Sequence, residues 1–327
     1  MERMPGRIAC LLIVSAAGAA AQDADVAEAV CDRALAFVAR SQEKDGSWTV
    51  GGRPYSLISA AALNGMAFLA SGSTPAAGPY SENLKRARAF LNKELDKMWT
   101  QRQLFDSDVF LGNAFSGLFL SELRGIDPDD LEVKSLETIR DYIVRMQKSD
   151  GGWHYDAGSS VFMSSLAVLV LFRLRDEGIE VPQGALKRAA GYFGKAAKPS
   201  GGFDYRGDPG DRRTAAALLP MELLGVDAFK SREFVLEDLE KFERSHAGPA
   251  LHFFLTGLVC RRLGGEAWER FRKHAFRKIA AGLAKDGSIL LTAGRGEYYH
   301  VPQYSTCLYA LVLMLPKGAL GVQKLKP

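Results

Sequence analysis

The chain has 327 residues, 47% of them hydrophobic and 24% charged, and its 42 basic and 38 acidic residues leave a net charge of +4. That balance is ordinary for a globular protein, and with no basic block anywhere it excludes nucleic acid and an anionic membrane surface as partners.

At the N-terminus Arg3 and Arg7 precede an apolar run that starts at Ile8, and Ala19-Ala20-Ala21 offers a small-residue cleavage site before Gln22. The run is too short for the ~20 residues of a bilayer span. Residues 1–21 are therefore expected to be a cleaved signal peptide, and the mature chain to be exported (periplasmic or secreted) with no transmembrane helix. Cys31, Cys260 and Cys307 then remain. Three scattered cysteines in apolar surroundings form no disulfide framework and read as buried thiols.

From Asp23 the pattern is helical, with an apolar stripe of Val26, Val30, Leu35, Phe37 and Val38. The next segment, Tyr55 to Ser71, differs in kind: it has almost no polar face, and a helix apolar all round is buried on all sides. The alternation continues. Charged, amphipathic helices are expected at Ser81–Met98, Leu131–Gln147, Gln183–Ala197, Arg232–Arg244 and Glu266–Ala284, and apolar ones at Asp108–Leu123, Ser159–Leu174, Arg213–Leu224, Pro249–Leu263 and Gln303–Leu315. Most apolar helices start about 51 residues after the last, the spacing of a repeat. An inner ring dry on every side argues against an open solenoid, whose concave face is wet. The fold expected is an all-α, double-layered (α/α)6 toroid of six helical hairpins, a single domain over 22–327 with a short C-terminal tail at 317–327.

The junctions between charged and apolar helices carry a motif. Gln42, Gly46 and Trp48 recur as Gln147, Gly151 and Trp153, while Gly201 and Phe203 keep the spacing with Ala197 in the Gln place, and Lys285-Asp286-Gly287-Ser288 has lost both Gln and Trp. Gln can satisfy backbone groups at helix ends, Gly permits a left-handed turn, and Trp buries a large surface between units. Gln42, Trp48, Gln147 and Trp153 are accordingly read as scaffold. Preceded by Arg33-Ala34 and Phe37-Val38, the first copy resembles the squalene-cyclase-type repeat of the terpenoid-cyclase and protein-prenyltransferase toroids.

That resemblance implies an apolar small-molecule or lipid-like ligand in a central cavity. Chemistry would sit where the inner helices begin, because their positive dipole ends meet there. The candidates are Asp106, Asp108, Asp211, Tyr299 and His300 for catalysis, and His154, Asp156, Tyr205, Arg212, His252, Phe115, Phe162 and Tyr304 for substrate binding. Asp108 and Asp211 also suit helix N-caps. The family's Asp-x-Asp-Asp acid motif would stand before an inner helix. Asp127-Pro128-Asp129-Asp130 precedes an outer one and reads as capping, while Asp106-Ser107-Asp108 is in the right place but incomplete. The prenyltransferase zinc site would need Asp-x-Cys where this chain has Asp211-Arg212-Arg213, so no metal or other cofactor is expected. Two alternatives stand beside the cyclase reading: a non-catalytic extracytoplasmic binding or scaffold module, and a toroidal polysaccharide lyase using Arg295, Tyr298, Tyr299 and His300. The sequence says nothing about oligomeric state.

Overall fold

A computed structural model describes residues 25–49, 54–100, 107–154, 158–203, 213–237, 239, 249–291 and 302–327. Twelve α-helices lie among them: α1 (25–40), α2 (Pro54–Ala70), α3 (Ser81–Thr100), α4 (Ser107–Arg124), α5 (Asp130–Arg145), α6 (Val161–Asp176), α7 (Gln183–Ala196), α8 (Arg213–Leu223), α9 (Phe229–Glu237), α10 (Pro249–Leu263), α11 (Gly265–Ala281) and α12 (Pro302–Met314). The even-numbered helices form the inner ring. Each packs on the next, α2 on α4 through to α10 on α12, and α12 packs back on α2, which closes the toroid. The odd-numbered helices cover them as an amphipathic outer layer. α9 starts earlier than the sequence pattern predicts, because the Asp227 side chain accepts the Phe229 backbone N–H at 3.0 Å and caps it there.

Helical spacing and the observed contacts fix which residues face the axis. On α4 the Asn113 amide turns outward to accept from Trp99 Nε1 of α3, so Leu111, Phe115, Leu118 and Glu122 point the other way. On α6 Ser164 Oγ accepts the Trp153 backbone N–H, which leaves Phe162, Leu166, Leu169 and Arg173 facing inward. The same spacing on the other inner helices completes two stacked layers. Leu63, Phe115, Leu166, Ala216, Leu255 and Leu308 form one; Met66, Leu118, Leu169, Leu219, Leu258 and Leu311 form the one below. None of these keeps more than 4% of its surface exposed. A ligand-sized chamber at that depth would leave its walls accessible to a water-sized sphere, so the side chains fill the ring here. The expected central cavity does not reach these layers.

The repeated motif joins neighbouring hairpins. Gln42 Nε2 donates to the carbonyls of Gly46 and Asn83, and its Oε1 accepts from Arg86 and Asn83. Gln147 repeats the arrangement with Gly151, Ala185 and Arg188. Trp48 and Trp153, both fully buried, donate from Nε1 to Val38 O at 2.8 Å and Ile143 O at 2.7 Å. Gly46, Gly151, Gly201 and Gly287 all have positive φ, and a Cβ on any of them would overlap the carbonyl oxygen of Arg86, Arg188, Lys230 or Arg33 in turn. The last of these pairs joins the sixth hairpin to the first. There Arg33 donates directly to the carbonyls of Ala284 and Lys285, replacing the missing Gln, and Arg40 donates to Asp286 O.

The C-terminal tail crosses the lower end of the ring, where the inner helices finish. The backbone N–H groups of Gly321 and Val322 donate to the Glu122 carboxylate at 2.6 and 2.9 Å, and Arg173 lies 3.3 Å from it. Arg262 of α10 holds Leu325 O, and Arg175 of α6 holds Lys326 O. Leu320, Val322 and Leu325 are buried beneath the ring.

Candidate functional site

With the middle of the ring filled and the tail across its lower end, the upper end remains, where the inner helices begin. Asp108 stands in the first turn of α4 on the axis-facing side, one turn above Leu111, and keeps only 4% of its surface exposed. Phe162, in the first turn of α6, is half-buried, unlike the side chains below it. It meets His252 of α10 with ring centroids 5.6 Å apart. The two helices are not neighbours in the ring, since α8 lies between them. Thr256, one turn below His252, has a buried hydroxyl with no partner among the described residues. Tyr304 is buried at the start of α12, on that helix's axis-facing side, and Phe115 forms part of the floor.

The structure thus brings Phe162 and His252 together and places Asp108, Tyr304 and Phe115 on the inward faces of α4, α12 and α4. His154 directly follows the buried Trp153 and is half-buried. Asp106, Asp156, Tyr205, Asp211, Arg212, Tyr299 and His300 lie outside the described residues.

Among the described residues, no group of three or more His, Cys, Asp or Glu side chains could hold a metal ion, and no helix is long and apolar enough to cross a membrane. Cys31, Cys260 and Cys307 are buried thiols, and burial pushes all three above the usual thiol range. Asp127 and Asp129 of the acidic run face Arg88 of α3. Arg88 reaches Asp127 at 2.8 Å, Asp129 at 3.4 Å and Glu132 at 2.8 Å. This cluster belongs to the outer layer. Glu132 is buried within it, and desolvation pushes its carboxyl up to about 7 despite Arg88.

One set of residues escaped the sequence reading. Ser164, Thr214 and Thr306 accept the backbone N–H of Trp153, Phe203 and Ile289 at 2.8–2.9 Å, tying each motif to its inner helix. The signal is a hydroxyl early in an otherwise apolar helix, seen in three units among the described residues.

No protein-family model matches the chain, and no curated protein matches it. Solved structures do. The type II terpene cyclase MstE from Scytonema, in complex with geranylgeranyl dihydroxybenzoate, superposes with a TM-score of 0.60 at 12% identity, over 90% of this chain and 99% of that one. An inactive variant of the α-1,6-mannanase GH76A of Salegentibacter sp. HEL1_6, bound to α-1,6-mannotriose, gives 0.62 at 12% identity, over 90% and 99%. Cellobiose 2-epimerase from Bacillus thermoamylovorans gives 0.55 at 10% identity, over 86% and 96%. At these identities the likeness establishes the α/α toroid and leaves the chemistry open.

Proposed function

We propose that this chain is a ligand-binding toroid whose site is the upper mouth of the inner ring, and that it takes an apolar small-molecule or lipid-like ligand across that mouth. The observation that carries this reading is the Phe162–His252 contact, an aromatic and a titratable ring brought together from non-adjacent helices above a filled floor. The apolar body of the ligand rests on Phe162 and Tyr304, and its polar end meets His252 and Asp108. The filled layers beneath favour a ligand lying across the mouth over a long isoprenoid folded inside the ring. The Gln–Gly–Trp junctions are what support kinship with the squalene-cyclase-type repeat, and Arg3, Arg7 and Ala19-Ala20-Ala21 are what support export.

A second reading is a carbohydrate chain lying across the same mouth. The filled floor is compatible with it, since an extended oligomer needs no deep chamber, and the mannanase neighbour holds a mannotriose. Calorimetric titration with geranylgeranyl dihydroxybenzoate and with α-1,6-mannotriose separates the two. The first reading expects heat only from the geranylgeranyl compound, and a loss of affinity in Phe162→Ala. Heat only from the mannotriose would transfer the site to the second reading. Turnover of a lipid extract by the wild type, abolished in Asp108→Asn, would add catalysis to binding.

A further inference from the structure

At the lower end of the toroid, on the seam between the first and last hairpins, lies a second cleft of about 280 Å³. It is separate from the mouth. The outer helix α1 forms one wall, the segment between α2 and α3 another, and the end of α12 with the turn after it the third. The floor is apolar, made by Cys31, Leu35, Leu313 and Met314, all buried. The rim is charged. Glu28 and Asp32, one turn apart on α1, face Tyr80 and Lys317.

The two carboxylates differ in their surroundings. Lys317 Nζ lies 3.9 Å from Glu28 Oε1, so this rim cation is engaged with Glu28. Among the described residues, no basic side chain lies within ion-pair distance of Asp32. Tyr80 is fixed from behind by stacking on Phe68, with centroids 4.7 Å apart, which holds its ring as a rigid wall. Burial and the negative charge of Asp32 hold the Tyr80 phenol above its usual range, so the carboxylate field acts across the cleft. A carboxylate beside an aromatic ring above an apolar floor is the arrangement that takes an ammonium group carrying a hydrocarbon tail.

We propose that this seam cleft is a binding site for a small organic amine. The ammonium pairs with Asp32 and lies against Tyr80, and the apolar tail rests on Cys31, Leu35, Leu313 and Met314. A ligand held there touches both the first and the last hairpin, so its binding also fastens the ring closure.

The test uses the full chain with phenethylamine as the ammonium probe and phenylacetate as its anionic counterpart, followed by amide chemical-shift mapping and thermal unfolding. Phenethylamine should raise the Tm and move amides only in the three segments that line the cleft, residues 27–35, 71–80 and 313–317. Asp32→Asn, a change at an exposed position, should weaken it about tenfold, the worth of one charge-assisted contact. Lys317→Ala should not weaken it. Preferential binding of phenylacetate, lost in Lys317→Ala, would overturn the proposal, as would amine binding unchanged by Asp32→Asn or no shift at these amides with either probe. The mouth reading survives each of these outcomes, because Phe162 and His252 lie at the other end of the ring.

Discussion

Glu132 shows how a carboxylate in an acid-rich run can serve structure. The run from Asp127 to Asp130 resembles a catalytic acid motif in composition, yet Arg88 gathers Asp127, Asp129 and Glu132 in the outer layer. Burial raises Glu132 from 4.5 to about 7. A carboxyl whose folded-state value is raised contributes stability in its neutral form, complete below about 4.5 and lost as pH rises through about 7. Chemical denaturation across pH 4.5–8 should therefore show a fall in stability that Glu132→Gln removes; an unchanged slope in that variant would contradict the assignment. At the mouth, replacing the His252 ring removes the partner that Phe162 meets across α8. His252→Ala should weaken the apolar ligand about tenfold, measured by calorimetry, with little change in Tm beyond that of a small cavity.

At the scale of elements, the junction motif decides whether hairpins register with each other. Gln147 satisfies two carbonyls and is itself held by Arg188, so Gln147→Ala should destabilise by about 1–3 kcal/mol in equilibrium unfolding. Gly151→Ala should cost more, about 3 kcal/mol, since the new Cβ meets the Arg188 carbonyl in a left-handed conformation. An unfolding midpoint unmoved by either change would remove the fastening role. The motif was legible in the sequence because Gln, Gly and Trp carry distinct demands at fixed spacing. Ser164, Thr214 and Thr306 were not, because a single hydroxyl in an apolar helix looks like any satisfied core residue until the junction turn it bonds to is placed beside it.

For the whole molecule, closure and filling go together. Helices apolar on every face announced the inner ring, and their order announced the toroid. The polar candidates could not be ranked the same way: an Asp in the first turn of an inner helix reads alike as cap and as acid, and the Phe162–His252 contact joins two helices that are not neighbours in the ring. The tail was visible only as a remnant, whereas it supplies two N–H donors to the buried Glu122 and covers the lower end. Removing residues 318–327 should lower stability by at least about 3 kcal/mol, because Glu122 loses both charge-assisted bonds; thermal unfolding of the truncated chain measures this, and a wild-type Tm would show the tail to be an ornament of the fold.

The central claim is that ligand binds over the filled ring and not within it. Its most direct test is the affinity of geranylgeranyl dihydroxybenzoate for the wild type and for the double variant Phe162→Ala with His252→Ala, with amide-exchange protection mapped on the complex. The account predicts one site, an affinity loss of tenfold or more in the double variant, and new protection confined to the first turns of α4, α6, α10 and α12. Undiminished binding in the double variant, with protection in the leucine layers at Leu166–Leu169 and Leu255–Leu258, would contradict it.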